Sequence, residues 1–516
     1  MELRSVAVLG GGPGGLYVAR LLKLRHPDCA VDLYEQSPPD QTFGFGVGLA
    51  TKTQRNLEAA DPASLAAIVE RSFQHEMAME VRGERVLLPV DNLIAIGRST
   101  LLDVLRQHAE DAGVRLHYGT RVTADELDAE LVIASDGVSS ATREASADTF
   151  GATIDTHDSL YLWCGTDFAL PTASFLPVET EHGTFVAHAY PYAPDRSTFL
   201  IETDEETWRR AGFDATTART PYDESDVESL AYLSQAFAAE LQGHPLVGNR
   251  TRWLQFRTIR CARWHHDNVV LLGDAAHTAH YSIGSGTKLA MEDGIALDAA
   301  LAEAPDLETA LARYEAVRRP AVEHLQETAR RSMRWWDTFP DRLDVPVDQL
   351  LIAYMTRAGK VSVDRFAALA GDVVRRGLAH YAGCAVSEVP EEDRTDWILS
   401  RPLLRDDQTW PARSVTLEQL GSHVDLTVDV HDPWGGDGDV QVKQATAQSG
   451  DASRSVLLRS ADDLGAVLTM FDLGERLRRE AGVVVAATVP APLVEFAVAA
   501  LASGRIDLVV PMPASA

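Results

Sequence analysis

Three carboxylates and three glycine clusters are the residues of this chain best spaced for chemistry. Gly273-Asp274 closes an apolar run, Val269–Leu272, and Gly284-Ser285-Gly286-Thr287 follows ten residues later, opening a helical pattern. Glycines let a ligand approach the backbone, and a helix start offers unpaired N–H groups and a positive dipole end. A carboxylate beside them accepts a sugar or polyol hydroxyl. Upstream, Gly10-Gly11-Gly12-Pro13-Gly14-Gly15 separates an apolar run, Ser5–Leu9, from a helical one, Leu16–Leu24. Gly10, Gly12 and Gly15 satisfy G-x-G-x-x-G, and Glu35, twenty residues after Gly15, ends the next apolar strand, Ala30–Tyr34. Strand, glycine turn, helix and distal acid make a dinucleotide site with the acid on the ribose. A third stretch, Leu131–Arg143 (LVIASDGVSSATR), again runs from apolar strand to acid and glycine, at Asp136-Gly137, with Ser140 and Arg143 beyond.

These three motifs, in this order, resemble the single-component FAD-dependent aromatic hydroxylases, the 4-hydroxybenzoate hydroxylase-like family. The resemblance implies FAD bound by Gly10, Gly12, Pro13, Gly14, Gly15, Glu35 and Gln36 at the first motif, and by Asp136 and Gly137 at the second. Asp274, Gly284, Gly286 and Thr287 complete that set. Arg98, at the head of IGRSTLLDVLRQHA with Leu101, Leu102 and Leu105 as its buried stripe, matches the family's helix-initial arginine. The implied fold is α/β: a Rossmann-like FAD-binding domain with an inserted antiparallel β-sheet substrate domain, a helical segment and a small C-terminal α/β extension.

Within the family, HTAHYSIGSGTKLAMED (277–293), DQTFGFGV (40–47), WLQFRTIRCARWHHDNVV (253–270) and YEAVRRPAVEHLQ (314–326) are similar to the branch acting on aromatic acyl-CoA thioesters. That branch comprises the salicylyl-CoA 5-hydroxylases and anthraniloyl-CoA monooxygenases, and the likeness covers about residues 1–370. It implies that NADH or NADPH reduces FAD, O2 is taken up, and a flavin hydroperoxide oxygenates a phenol- or amine-bearing ring. The substrate would be a salicylyl- or anthraniloyl-type thioester on CoA or a carrier protein. An untethered aromatic such as an indole is the alternative, and a flavin-binding protein without turnover is the alternative of another class. The loop Phe43–Gly48 lacks the arginine many relatives place near the nicotinamide, which leaves NADH and NADPH both open.

Substrate contacts must come from elsewhere. HGTFVAHAYPYAPDRSTFLIET (182–203) alternates and turns at Ala193-Pro194-Asp195, as a hairpin does. Period two puts His188 and Tyr190 on one face and Phe185, Ala187 and Ala189 on the other. Relatives that bind free carboxylates carry an arginine on this pocket face, whereas a histidine and a tyrosine suit a neutral carbonyl or ring hydroxyl. A plain solvated polar face is the competing reading. His280 and Tyr281 lie in the loop that passes the flavin ring in relatives, either to position substrate and ease phenol deprotonation or as structural contacts. His277 reads as structural. Lys288 either nears a phosphate or is solvated.

Composition bounds the rest. The chain has 516 residues, 45% of them hydrophobic and 24% charged, with room for two to four domains. The 47 basic and 76 acidic residues give a net charge of −29, which argues against nucleic acid or an anionic membrane as partner. Four scattered cysteines without a C-x-x-C pair fit a reducing, cytoplasmic compartment, and no metal-ligand spacing occurs. The glycine-broken N-terminal run is no signal peptide, and Val483–Ser503 is too interrupted to span a membrane. Oligomeric state is open, a homodimer included.

The expected organisation is a monooxygenase core over residues 1–340 with sheet segments 73–97 and 161–249 inserted, a helical connector over 341–401, and an extension over 402–516. Leu307–Phe339 is a long helix that Pro320 should kink or interrupt. In the extension, Ser455–Leu458, Val483–Thr488 and Ile506–Val510 read as strands, and Asp462–Glu480 and Pro492–Ser503 as helices. Phe471–Pro513 resembles the last turns of an old-yellow-enzyme-type barrel. About a hundred residues are too few for an eight-stranded barrel of about 250, so the resemblance implies a remnant or subunit contact without a second flavin.

Overall fold

The computed structural model describes residues 2–39, 41–89, 93–284, 286–405, 408–449 and 455–512. The chain divides into two compact units, Met1–Glu80 with Val90–Asp337, and Val81–Pro89 with Thr338–Ala516.

In chain order the elements that matter in the first unit are β1 (Ser5–Leu9), α1 (Pro13–Arg25), β2 (Ala30–Glu35), α2 (Arg98–Ala112), β3 (Arg115–Tyr118), β4 (Leu131–Ala134), β5 (Ala152–Thr166), β6 (Ala173–Thr180), β7 (Gly183–Ala193), β8 (Arg196–Thr203), β9 (Trp253–Cys261), β10 (His265–His266), β11 (Val269–Leu271), α3 (Gly286–Glu303) and α4 (Leu307–Asp337). One sheet has the order β10-β11-β4-β1-β2-β3, all parallel except the β10 edge. Its strands are apolar on both faces because both are covered: Val6, Val8, Leu33, Leu131 and Ile133 are buried in one core, and Ala7, Leu9 and Val132 in another. α1 packs against both α2 and α3, which explains why Leu16–Leu22 is buried around its whole circumference.

The second sheet of this unit runs β9-β5-β8-β7-β6, with Met77–Met79 joining β6 in parallel. Phe185, Ala187 and Ala189 of β7 point into an apolar core with Leu162, Phe199, Ile201 and Trp253, leaving the other face of β7 for His188 and Tyr190. The insertion differs from the expected 73–97 and 161–249. β5 starts at Ala152 and pairs with β9 across a register shift between Thr156 and Leu160. Ile94–Gly97 instead pairs with Gly46–Leu49 and Phe73–Gln74 in a small separate sheet.

Pro320 does not break α4, which is continuous over 31 residues. The carbonyl deprived of its donor is that of Ala316, an exposed residue on the solvent face, where losing the bond costs least.

In the second unit, β12 (Val424–Thr427), β13 (Ser455–Arg459), α5 (Leu464–Glu480), β14 (Val484–Pro490), α6 (Val494–Ala502) and β15 (Leu508–Met512) form a parallel sheet in sequential order. Leu403, Trp410, Val415 and Leu420 cover Leu457, Val484, Ala486, Leu508 and Val510 on one face. The sequence reading separated a connector over 341–401 from an extension over 402–516. The structure packs both into one unit with residues 81–89, because helix Val347–Thr356 rests on α6. No described helix is long and apolar enough to cross a membrane.

Candidate active site

At the mouth of the first sheet, β1 ends in Gly10, whose φ of +101° suits glycine; a Cβ there would stand 2.3 Å from the Ser135 carbonyl oxygen. A Cβ on Gly15 would lie 2.1 Å from the Gly10 oxygen, so these two glycines weld the first motif to the second. Gly12 is different: nothing lies within 4 Å of its Cβ position, which leaves the backbone open to a ligand. Pro13 begins α1, where its missing N–H costs no helical bond, and Gly14 is buried behind it. The Glu35 carboxylate accepts from Gly11 N and Ser37 N, both at 2.7 Å, and Gln36 beside it is exposed. Gly12, Glu35, Phe43, Arg98 and Tyr118 line a common cleft.

The second and third motifs meet through Arg143. Its buried guanidinium donates to the carbonyls of Val138 (2.8 Å) and Ala275 (2.9 Å). Asp136 Oδ2 accepts from the Thr142 N–H and hydroxyl, while Oδ1 is buried with no hydrogen-bond partner; Gly137 follows at φ +82°. Asp274 is exposed to solvent yet ringed by protein, and that crowding raises its pKa against the pull of His277 and Arg98. Burial in turn lowers the pKa of Arg98, offset by Asp274. Gly284 adopts φ +58°, and Gly286 and the half-buried Thr287 start α3; Ser285 lies outside the described residues. Beneath, Asp293 binds Gly273 N, His277 Nε2 and Arg318 Nε at 3.0, 2.8 and 2.8 Å. His277 is thereby a structural prop. Carboxylates at strand ends, an open glycine turn, a buried acceptor without a donor and a cation beside Asp274 together fit FAD.

A second cluster lies on the β7 face of the other sheet. Tyr281 Oη donates to Glu202 Oε2 at 2.7 Å. His188 Nε2 stands 3.0 Å from Glu202 Oε1, but off the bonding direction, so neither atom completes a hydrogen bond. Aromatic rings wall the pair: Trp336 is 4.4 Å and Phe175 5.2 Å from His188 between centroids, and Tyr161 is 5.0 Å from Tyr281. His280 is 4% exposed and edge-on to Phe256 at 4.9 Å. Burial, helped by His157 and His188, drives its pKa well below the ordinary value, so the imidazole is neutral at pH 7. Burial, then Glu202, raises that of Tyr281, which keeps its proton. Asp337, at the end of α4, is pushed up to about 6 by burial despite the Ser159 hydroxyl and Arg334, which lies 3.3 Å away.

Residues 4–329 match the FAD binding domain family. The chain belongs to it. It is 42% identical over 370 residues to a salicyloyl-CoA 5-hydroxylase of Streptomyces sp, covering 70% of this chain and 71% of that protein. It is 40% identical over 359 residues to a 3-hydroxy-4-methyl-anthranilyl-[aryl-carrier protein] 5-monooxygenase of Streptosporangium sibiricum, covering 69% and 95%. Among solved structures, 2-methyl-3-hydroxypyridine-5-carboxylic acid oxygenase in a tetrameric form shares the fold, with TM-score 0.54, 19% identity, and coverage of 69% and 96%. The protein is an FAD-dependent aromatic monooxygenase of the hydroxylase type.

In this hydroxylase the three expected motifs converge, and His188, His280 and Tyr281 share one aromatic chamber. Tyr190 is directed away from that group. Its hydroxyl donates to the Gly46 carbonyl at 2.6 Å, and burial pushes its pKa up to about 12. Tyr190 thus anchors the loop that Thr198 also holds, through Gly46 N at 2.8 Å. Sequence reasoning missed Glu202, Trp336 and Asp337. The signal for Glu202 was available: in FLIET it shares a strand face with Leu200, which pairs with His188.

Proposed function

We propose that this hydroxylase oxygenates an electron-rich aromatic ring carried as a neutral thioester of salicyloyl or anthraniloyl type, on CoA or a carrier protein, with NADH or NADPH and O2. The observation that carries the reading is the charge of the chamber. Its polar wall consists of His188, Glu202, the neutral His280 and Tyr281, and the nearby Arg334 already faces Asp337. A free aromatic carboxylate would meet an acidic wall; a thioester carbonyl brings no charge. The names of the two relatives point to the same class of substrate.

Bound FAD supplies two-electron transfer from the nicotinamide and delivery of one oxygen atom from O2 to the ring. Glu35 and Asp274 would take its hydroxyls, the α1 start at Gly12-Pro13 and Arg98 its diphosphate, and Asp136 Oδ1 a further N–H or O–H donor. The chamber's own residues do the rest. Tyr161, Phe175, Phe256 and Trp336 exclude water and orient a planar ring. Neutral His280 exchanges a hydrogen bond with a ring hydroxyl or carbonyl, and Tyr281 keeps its proton directed at Glu202. His188 faces the thioester carbonyl.

NAD(P)H consumption with salicyloyl-CoA, anthraniloyl-CoA, free salicylate and indole tests this, with products identified by mass. Stimulation by a thioester and a product one oxygen heavier is expected. Stimulation by free salicylate or indole but by neither thioester would overturn the reading. A purified protein that takes up no FAD would revive the non-catalytic alternative.

A further inference from the structure

We infer that Glu202 is the specificity-determining residue for the ring's hydrogen-bearing donor substituent, a phenol O–H or an aryl N–H. The inference rests on the reading above only in placing the aromatic ring in this chamber. Glu202 sits on β8 opposite Val186, so its side chain shares the β7 face with His188, two residues on. Its side chain is 9% exposed. One oxygen is occupied by the Tyr281 hydroxyl at 2.7 Å, which also fixes the carboxylate's rotation. The other, Oε1, is buried and accepts no hydrogen bond; His188 Nε2, in ion-pair contact at 3.0 Å, likewise makes none.

A carboxylate has about four acceptor positions, and a buried one lacking a donor is costly to maintain. What is missing is a donor, and the walls say which kind. Tyr161 and Trp336 lie against Tyr281 and His188 with ring faces and edges, surfaces that suit a flat apolar body. The ligand that satisfies both is an aromatic ring bearing O–H or N–H. Accepting that hydrogen also pushes electron density into the ring, so recognition of the substituent and activation of the ring fall to one carboxylate. A ring with no such hydrogen leaves Oε1 unsatisfied and is rejected, as sites built around a buried polar group reject analogues that lack its partner.

The test uses the FAD-bound enzyme, wild type and Glu202→Gln, titrated with salicyloyl-CoA and 2-methoxybenzoyl-CoA while flavin absorbance is followed. The methoxy group donates electrons but carries no hydrogen. Wild type is expected to prefer salicyloyl-CoA about tenfold or more, the scale of a hydrogen bond to a charged group. In Glu202→Gln the preference collapses to within about threefold, with FAD content and binding of 2-methoxybenzoyl-CoA unchanged. A variant of normal FAD content that keeps the wild-type preference overturns the assignment. So does a wild type with no preference, which settles the matter even where the variant fails to hold flavin. If no thioester binds but salicylamide is preferred over 2-methoxybenzamide in a Glu202-dependent way, the thioester reading fails and Glu202 stands. If thioesters turn over and the variant discriminates as wild type does, Glu202 fails alone.

Discussion

The hydroxylase contains two parallel sheets whose strand orders differ. In the first unit the order β10-β11-β4-β1-β2-β3 reverses direction at β1, with β2 leaving to one side and β4 to the other. Adjacent loops diverge at such a point and open a crevice. Into it project Gly12, with no neighbour within 4 Å of its Cβ position, and Asp136 Oδ1, with no partner. In the second unit, β12 to β15 follow one another without reversal. There several charged groups pair with one another. Asp507 Oδ2 accepts from Arg478 Nε (2.8 Å) and Val485 N (3.0 Å), and Arg342 and Glu475 form a buried ion pair at 2.7 Å. The start of α5 is capped by its own Asp463, at 3.0 Å from Ala466 N. Two sheets of one class thus differ in their crossings. The one with a reversal carries the open glycine turn and the unpartnered carboxylate oxygen that fit a ligand, and in the one without it ion pairs tie strands to helices.

Mutations can break this division. The largest effect is expected for Gly15→Ala, whose new methyl meets the Gly10 oxygen at 2.1 Å; both the fold of the first unit and flavin content should be lost, as read by circular dichroism and absorbance. Glu475→Ala leaves Arg342 buried without its carboxylate and should cost about 3–5 kcal/mol in urea unfolding, with bound FAD per folded chain unchanged. Gly12→Ala sharpens the contrast from the other side. It has room for the methyl, so the apoprotein should melt as wild type does, while FAD affinity falls about 100-fold, near 3 kcal/mol. A parallel fall in the melting temperature would show Gly12 to be a folding residue.

Asp337 offers a pH-dependent measurement. Its carboxyl, raised to about 6 by burial, binds a proton more tightly in the folded than in the unfolded chain. Its contribution to stability is complete below the ordinary carboxylate range and is lost as pH rises through about 6. Asp337→Asn should therefore gain on wild type between about pH 4 and about pH 7, by up to about 3 kcal/mol. A difference in melting temperature that is constant with pH would contradict the assignment. The smallest effect belongs to Asp463→Ala, which removes a helix cap at a cost of about 1 kcal/mol with no change in turnover.

What the sequence made legible follows a physical rule. β1, the α1 glycines, Glu35, Asp136 and Asp274 were readable because backbone geometry and a short motif define them together. The β7 alternation was readable because its far face is a core, with Phe185, Ala187 and Ala189 buried. Glu202 was not, since its meaning comes from Tyr281, 79 residues away, and from Trp336, farther still. Tyr190 was misleading for the same reason. Its face was right, but its hydroxyl is captured by Gly46, 144 residues earlier. Local pattern gives the face of a strand, and only the tertiary fold gives the partner. The unity of residues 338–516 escaped notice because it arises from helix docking, which Pro402 and the glycines near 435 do not encode.

The make-up of the second unit sets an order of events during synthesis. Its strand Glu84–Leu88 packs on helices Val347–Thr356 and Val363–Ala382, so it leaves the ribosome roughly 250 residues ahead of them. At translation rates of about 5–20 residues per second, that wait is on the order of ten to fifty seconds. Throughout it, Val86 and Leu88 lack the two helices of their own unit that later pack on their strand. The interval is a window for chaperone capture and for competition between native and stray strand pairing, and it closes only when the two helices, ending at Ala382, have emerged.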